Sequence, residues 1–260
     1  MTNNTKIHAT AIISSEAEIG NNVEIGPYTV VENDVIIKDN CKIGSYVTLA
    51  EGVRLDKKVK VFNGAVLGSV PQDLKFGGEK TTLEIGEGTV IREFATLNRG
   101  TKDRGKSKIG KNCLIMAYAH VAHDCFIGDN CILVNGASLA GHIDVGNHVI
   151  LSGSVLVHQF SKIGDYTMVE GGCKVKKDLP PYLLIMGEPA RFTGLNKIGL
   201  SRKGFSKELI QKISDAYRIL YRDGLLVADA IVKIEDQYSD VKEIMEIVEF
   251  VKNSKRGIIR

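Results

Sequence analysis

IGKNCLIMAYAHVAHDCFIGDNCILVNGASLAGHIDVGNHVIL, residues 109–151, carries an aliphatic residue at every sixth position: Ile109, Ile115, Val121, Ile127, Leu133, Leu139, Val145 and Leu151. The same step runs outward from this stretch in both directions. Of the 29 positions reached by sixes from Ile7 to Val175, 26 are Ile, Leu or Val, and the exceptions are Asp73, Glu79 and Asp103. On an α-helix a step of six advances the chain by about 600°, which would scatter these residues over every face. A helix is therefore excluded over this span.

A second row sits four residues after each aliphatic one and is small or β-branched: Ala11, Val23, Thr29, Val35, Cys41 and Val47, then Cys113, Ala119, Cys125, Cys131 and Ala137. Each lies two before the next aliphatic position, and two inward side chains separated by two residues are what a short pleated strand supplies. The rest of each hexad must turn a corner. Gly20, Gly26, Gly44, Gly86, Gly110, Gly128, Gly146 and Gly164 directly follow an aliphatic position, and Asn22, Asn40, Asn112 and Asn130 lie close behind. Such residues tolerate positive φ and are read here as the turn markers. Six-residue sides joined by turns describe a parallel β-solenoid of the hexapeptide-repeat kind. With three sides to a coil, residues 7 to about 180 give roughly ten coils, a prism on the order of 45 Å long.

Asp73, Glu79 and Asp103 fall where a side chain should enter the core, and an unpaired buried carboxylate is costly. The chain is therefore expected to loop out over residues 68–84 and 98–108 and to rejoin the prism in phase. Loops on a rigid scaffold are favoured places for binding residues, and a merely tolerated insertion is the alternative. Past Pro180 and Pro181 the hexads stop. Leu209, Ile213, Ala216, Tyr217, Leu220 and Tyr221 recur at spacings of three and four before Asp223-Gly224, which predicts a helix from about Ser206. Residues 226–237 and 240–254 read as two more. The expected organisation is a β-helix domain over residues 1–190 and a C-terminal helical domain over 191–260, too small to be stable without packing on the prism or a neighbouring subunit.

Composition sets limits without choosing an activity. Hydrophobic residues make up 43% and charged residues 25% of the 260, ordinary values for a soluble protein with no membrane span. The opening stretch MTNNTKIHATAII lacks a basic segment followed by an apolar one, so a cytoplasmic location is expected. A net charge of +3 is too small to argue for nucleic acid. All five cysteines, Cys41, Cys113, Cys125, Cys131 and Cys173, occupy the inward small position, which reads as core packing and not as disulfide, metal or catalytic chemistry. Arg99, Lys102, Arg104, Lys106 and Lys108 cluster in the second excursion, and Lys174, Lys176, Lys177, Arg202 and Lys203 near the end of the prism; an acidic protein could dock on either group.

Histidine placement is the sharpest chemical signal. His120, His123, His142 and His158 fall within about two coils, none at a core position, and at 18 residues per coil the last three lie near one edge. A general base, a metal site and a coincidental polar edge all fit this pattern; imidazole suits the first because its pKa lies near working pH. Asp124 could orient His123, although neighbours in a strand usually point to opposite faces.

The segments HVAHDC (120–125), LAGH (139–142), HQF (158–160), DLPPY (178–182), GLN (194–196) and PQDLK (71–75) together resemble the UDP-N-acetylglucosamine O-acyltransferase family, which begins lipid A synthesis. The resemblance runs from the first hexad to the terminal RGIIR. It implies a three-sided left-handed parallel β-helix, against the usual crossover hand, in a homotrimer with active sites between subunits. It also implies transfer of an (R)-3-hydroxyacyl group from acyl carrier protein to the 3-hydroxyl of the UDP-sugar. No metal or cofactor is implied, the acyl group being carried on the phosphopantetheine of the carrier protein, and no acyl-enzyme forms. By this resemblance His123 is the general base, Asp124 its partner, and the Gly141 N–H the oxyanion donor. Gln72, Asp73 and Lys75 contact sugar and phosphates, His120, His142, His158 and Gln159 bind or position substrate, Asn196 and Arg202 meet the nucleotide, and Gly171 bears on acyl length. Ile198 stands where the family has an acidic nucleotide contact, and Arg202-Lys203 replaces a paired Arg-Arg, losing one bidentate fork. Other readings are the same transfer to a 3-amino analogue, giving an amide; a γ-class carbonic anhydrase with zinc between subunits; the related N-acyltransferase, which has a domain ahead of its prism; and a non-catalytic solenoid scaffold.

Overall fold

The computed structural model describes residues 4–260; the first three residues of the opening stretch read for a leader lie outside them. Short strands, most of two residues, wind into a three-sided prism of three sheets with eleven, nine and eight strands. Neighbouring coils pair in parallel at an offset of eighteen residues, as in Ile132↔Ile150 and Leu133↔Leu151. The aliphatic row and the small row both point inward. Leu133, Leu151, Cys131 and Val149 are fully buried, so the six-residue period is the sheet period of one face closing on itself.

The corners revise one expectation. The left-handed backbone falls on the third residue after most of the aliphatic ones, at Asn22 (φ 54°), Asn40 (61°), Asn112 (52°) and Asn130 (58°) as predicted, but also at Tyr28, Tyr46, Phe94, Tyr118, Phe160 and Tyr166 (φ 56–63°). The glycines directly after the aliphatic residues, Gly20, Gly26, Gly44, Gly86, Gly110, Gly128, Gly146 and Gly164, do not have positive φ. They are there because coils touch. A Cβ on Gly110 would lie 2.4 Å from the Gly128 carbonyl oxygen, and one on Gly128 would lie 2.7 Å from the Gly146 carbonyl carbon. Bulky residues in the left-handed region cost on the order of 1–2 kcal/mol each; the aromatic ones recover part of this by stacking along the edge, with Tyr28 and Tyr46 rings 5.1 Å apart and Phe94 and Tyr118 5.4 Å apart.

Two excursions leave the prism in phase. The strand Val66–Ser69 ends before the first, and Thr82–Ile85 resumes the coil; Thr96–Asn98 and Lys106–Ile109 bracket the second. Val61 pairs with Ile91, thirty residues on, and Ile91 with Ile115, twenty-four on, so each excursion adds a multiple of six. Asp73 and Glu79 are half-buried and Asp103 is exposed, which keeps all three carboxylates out of the core.

The strand Leu183–Met186 ends the parallel stacking, and Arg191–Leu195 turns back on it antiparallel. Four helices follow: α1 (Lys197–Arg202), α2 (Lys207–Arg222), α3 (Val227–Tyr238) and α4 (Lys242–Lys252). Ser206 caps α2 by accepting the Leu209 N–H at 3.1 Å. The six-residue α1 has no periodic signal and is an addition to the three predicted helices. The helices are tied to the prism by the Tyr217 hydroxyl donating to the Pro181 carbonyl (2.6 Å) and by Ser254 donating to Asp178 (2.6 Å). No helix among the described residues is long and apolar enough to cross a membrane. All five cysteines are buried and free; Cys41 and Cys125 donate to carbonyls at 3.1 Å, and burial pushes their thiols up to about 11 and about 12.

Candidate active site

His123 and Asp124 are chain neighbours whose side chains meet, because Asp124 sits at a corner with φ 59° instead of continuing the strand. The turn folds its carboxylate back to 2.8 Å from His123 Nδ1. Asp124 is fully buried. Its Oδ1 accepts the Thr101 N–H at 2.9 Å, its Oδ2 accepts the Thr101 hydroxyl at 2.8 Å, and its own N–H donates to Ser107 Oγ at 2.9 Å. Burial alone would push this carboxyl up; the bonds from His123 and Thr101 and the nearby His142 outweigh it and hold it below the ordinary carboxylate value. An ionised Asp124 accepts only, so His123 donates through Nδ1 and leaves the Nε2 lone pair free.

Gly141 lies against that lone pair. A Cβ there would sit 2.7 Å from His123 Cε1 and 2.8 Å from Nε2, so only glycine leaves the imidazole in place. Among the described residues the Gly141 N–H donates to no other group. A proton acceptor and a free backbone donor thus stand side by side, the pairing that addition to a carbonyl requires.

His142 occupies the next corner on the same edge, with φ 62°. Its ring meets His123 edge-on at 5.1 Å and stacks on Phe160 at 4.6 Å. His142 Nε2 lies 3.7 Å from Asp124 Oδ2, and Nδ1 lies 3.2 Å from Asp103 Oδ2 without hydrogen-bond alignment. Ligand-type atoms of His123, Asp124 and His142 lie within 4.8 Å of one another. Adjacent ligands of a tetrahedral zinc stand roughly 3.3 Å apart at bonds of about 2.0–2.2 Å, wider than the 2.8 Å His123–Asp124 contact, and both carboxylate oxygens already accept from Thr101. His123 and Asp124 form a hydrogen-bonded pair, with His142 beside it in ring contact.

The remaining predicted residues are more dispersed. His120 faces out one strand earlier, its Nδ1 2.8 Å from Thr96 Oγ1; burial pushes its pKa down. His158 and Gln159 are exposed, and Arg256 from the C-terminal tail reaches both, with Nη2 2.8 Å from His158 Nδ1 and Nη1 donating to the Gln159 carbonyl at 3.2 Å. The same Nδ1 lies 3.1 Å from the Gln159 carbonyl, so it accepts from Arg256 in one tautomer and donates to that carbonyl in the other. Gln72 and Lys75 are exposed on the first excursion, where Asp73 accepts the Lys75 N–H at 3.0 Å. Asn196 starts α1 by accepting the Gly199 N–H at 3.1 Å and donates to the Tyr166 carbonyl at 3.0 Å; Arg202 ends that helix, exposed. Gly171 is exposed on the prism, with a Cβ position 3.1 Å from the Gly153 oxygen. Thr101, Ser107 and Asp103 join the site without a motif of their own, although the break in period at Asp103 marks their loop. The basic cluster of that loop is mostly neutralised: Arg104 pairs with Asp144 (2.6 Å), Lys106 with Glu84 (3.1 Å) and Arg99 with Glu51 (3.4 Å). Lys176, Lys177, Arg202 and Lys203 near the end of the prism stay exposed.

Comparison with known proteins finds relatives along nearly the whole chain. Residues 106–141 match a model described as bacterial transferase hexapeptide (six repeats), and residues 178–259 match domain 2 of UDP-N-acetylglucosamine O-acyltransferase. An acyl-(acyl-carrier-protein)–UDP-N-acetylglucosamine O-acyltransferase of Chlorobaculum tepidum is 56% identical over 245 residues, 94% of this chain and 93% of its own. One from Sulfurihydrogenibium is 52% identical over 97% of this chain and 94% of its own. The crystal structure of a UDP-N-acetylglucosamine acyltransferase from Bacteroides fragilis superposes with a TM-score of 0.96 at 46% identity, covering 98% of this chain and 100% of that one. The prism is accordingly a left-handed parallel β-helix with a small C-terminal helical region. With relatives this similar over nearly its whole length, the chain belongs to the UDP-N-acetylglucosamine O-acyltransferase family.

Proposed function

We propose that this chain transfers an (R)-3-hydroxyacyl group from acyl carrier protein to the 3-hydroxyl of UDP-N-acetylglucosamine, the opening reaction of lipid A synthesis, in the cytoplasm. The observation that carries the reading is the contact between Gly141 and the Nε2 edge of an imidazole whose other nitrogen is held by a buried carboxylate. The Nε2 atom of His123 takes the proton of the sugar hydroxyl as its oxygen adds to the thioester carbonyl. The Gly141 N–H donates to the oxyanion that develops; one such donor is typically worth about 10²–10³ in rate. Collapse breaks the C–S bond, and the thiolate of the carrier's phosphopantetheine leaves with the proton returned by the imidazolium of His123. Oxygen replaces sulfur on the acyl carbon, so the protein needs no cofactor or covalent intermediate.

Gln72, Asp73 and Lys75 would meet the sugar and phosphates, Asn196 and Arg202 the nucleotide, and His120, His142, His158 and Gln159 would line the cleft, with Gly171 leaving room for the acyl chain. These residues come from separate excursions, edges and helices, which fits sites completed between the subunits of a homotrimer. The acidic carrier protein would dock on the exposed Lys174, Lys176, Lys177, Arg202 and Lys203, where charge raises association rate more than affinity. The test offers UDP-N-acetylglucosamine and its 3-amino analogue with 3-hydroxyacyl carrier proteins of several lengths and reads products by mass spectrometry. An ester on UDP-N-acetylglucosamine is expected. Product with the amino analogue alone would replace the acceptor, and no product with any pair from folded protein would overturn the reading.

A further inference from the structure

The second excursion does more than interrupt the prism. It leaves after Asn98 and returns at Lys106, and both of its ends grip the same residue. On the outgoing side Thr101 gives Asp124 two hydrogen bonds, N–H to Oδ1 at 2.9 Å and hydroxyl to Oδ2 at 2.8 Å. On the returning side Ser107 accepts the Asp124 N–H at 2.9 Å. Thr101, Ser107 and Asp124 are all buried, so solvent does not compete for these bonds. The loop is itself pinned: Arg104 pairs with Asp144 at 2.6 Å and lies over the Phe126 ring at 4.8 Å, and the Thr81 hydroxyl donates to the Gly100 carbonyl at 2.6 Å.

We infer that Thr101 is a positioning residue for the transfer reaction: by filling both carboxylate oxygens of Asp124 it fixes which oxygen faces His123 and so holds the imidazole in its Nδ1–H form. A carboxylate at a chain corner can rotate about χ2, a broad two-fold torsion. Two donors from one residue, one on each oxygen, remove that freedom. Only Oδ2 then reaches His123 Nδ1, at 2.8 Å, and Nε2 stays unprotonated toward Gly141. Without the hydroxyl, Oδ1 keeps only the Thr101 N–H and Oδ2 only His123, so the direction of the carboxylate is set less tightly. The hydroxyl also balances the carboxylate's charge against His123, so its removal changes how the imidazole shares its proton and not merely where the ring sits.

This inference rests on the reading of His123 as the base, and the experiment separates the two. Thr101→Val keeps the shape and the backbone N–H and puts a methyl in place of the hydroxyl, which also accepts the Asp103 N–H at 3.2 Å; Thr101→Ser restores the hydroxyl. With acyl carrier protein and UDP-N-acetylglucosamine, T101V is expected to lower kcat by about tenfold to a hundredfold, by analogy with the loss of partners that orient metal-bound histidines, with KM nearly unchanged. T101S is expected to recover most of that loss. In ¹⁵N NMR, His123 should show protonated Nδ1 and bare Nε2 in the wild type and in T101S, and a mixture of tautomers in T101V. Wild-type kcat and tautomer in T101V, beside an inactive His123→Ala, would overturn the role of Thr101 alone. An equal loss in T101S and T101V would reduce Thr101 to a packing residue and likewise overturn it. Full activity in His123→Ala would overturn the base assignment, and the inference with it.

Discussion

Gly141→Ala separates stability from chemistry. The Cβ it adds would stand 2.7 Å from His123 Cε1 and 2.8 Å from Nε2, where carbon contacts prefer about 3.5–4.0 Å, so the ring must withdraw by roughly 0.8 Å. It cannot do so freely, because its Nδ1 is held at 2.8 Å by Asp124, which is held in turn by Thr101. A displacement approaching 1 Å at a reacting group costs on the order of a hundredfold in rate. Because Gly141 does not have positive φ, alanine fits the backbone and should stabilise the chain by about 0.4–1 kcal/mol through its unfolded state, less the cost of moving the ring. The expected variant folds with a thermal midpoint close to that of the wild type, and its kcat falls about a hundredfold in steady-state transfer from acyl carrier protein, with KM for the sugar nearly unchanged. Wild-type kcat in a folded G141A protein would refute the reasoning, since the ring would then have moved without consequence.

Asp124→Asn places an amide where three donors converge: with its oxygen on the Thr101 N–H, its NH2 faces the Thr101 hydroxyl and His123 Nδ1, which must then accept and carry its proton on Nε2; kcat should fall by up to about 10⁴, as when the carboxylate of a comparable triad is replaced by an amide. Because the folded state holds the Asp124 carboxyl below its unfolded value, its contribution to stability is complete above about pH 4 and is lost as pH falls through the folded pKa. Chemical denaturation should accordingly show the gap between wild type and D124N narrowing on acidification; a gap that widens would contradict this. Leu133→Ala, at a fully buried inward position, should cost about 2–5 kcal/mol in urea unfolding, and a cost under about 0.5 kcal/mol would deny that the hexad row is the core.

The prism is legible because its signal repeats: each aliphatic residue from Ile7 to Val175 is weak evidence alone, and the period excludes a helix. The carboxylates at 73, 79 and 103 are legible as excursions because a charge has nowhere to go inside so narrow a core. The dyad is only half legible. Alternation along a strand sends His123 and Asp124 to opposite faces, and it takes the left-handed corner at Asp124 to bring them together. That corner is invisible to residue preference, since the same backbone is taken by Asn112, Tyr118, Asp124, Ser154 and Phe160 alike. The eight glycines mislead for the related reason that closeness between coils eighteen residues apart, and not local φ, selects them. Thr101 escapes notice because its partner lies twenty-three residues on across an excursion, beyond any local pattern. For α1, a single turn and a half started by Asn196 leaves too few residues for a period.

Acyl transfer by His123→Ala against the wild type, both treated with EDTA and matched for folded protein by thermal midpoint, tests the assignment of the base most directly. A midpoint close to that of the wild type is predicted, because His123 is only part-buried and Thr101 still donates to both oxygens of the buried Asp124. Transfer should fall by about 10²–10⁴, the contribution of a positioned base, while the chelated wild type stays active. A folded His123→Ala protein that still transfers at the wild-type rate would contradict the mechanism at its centre.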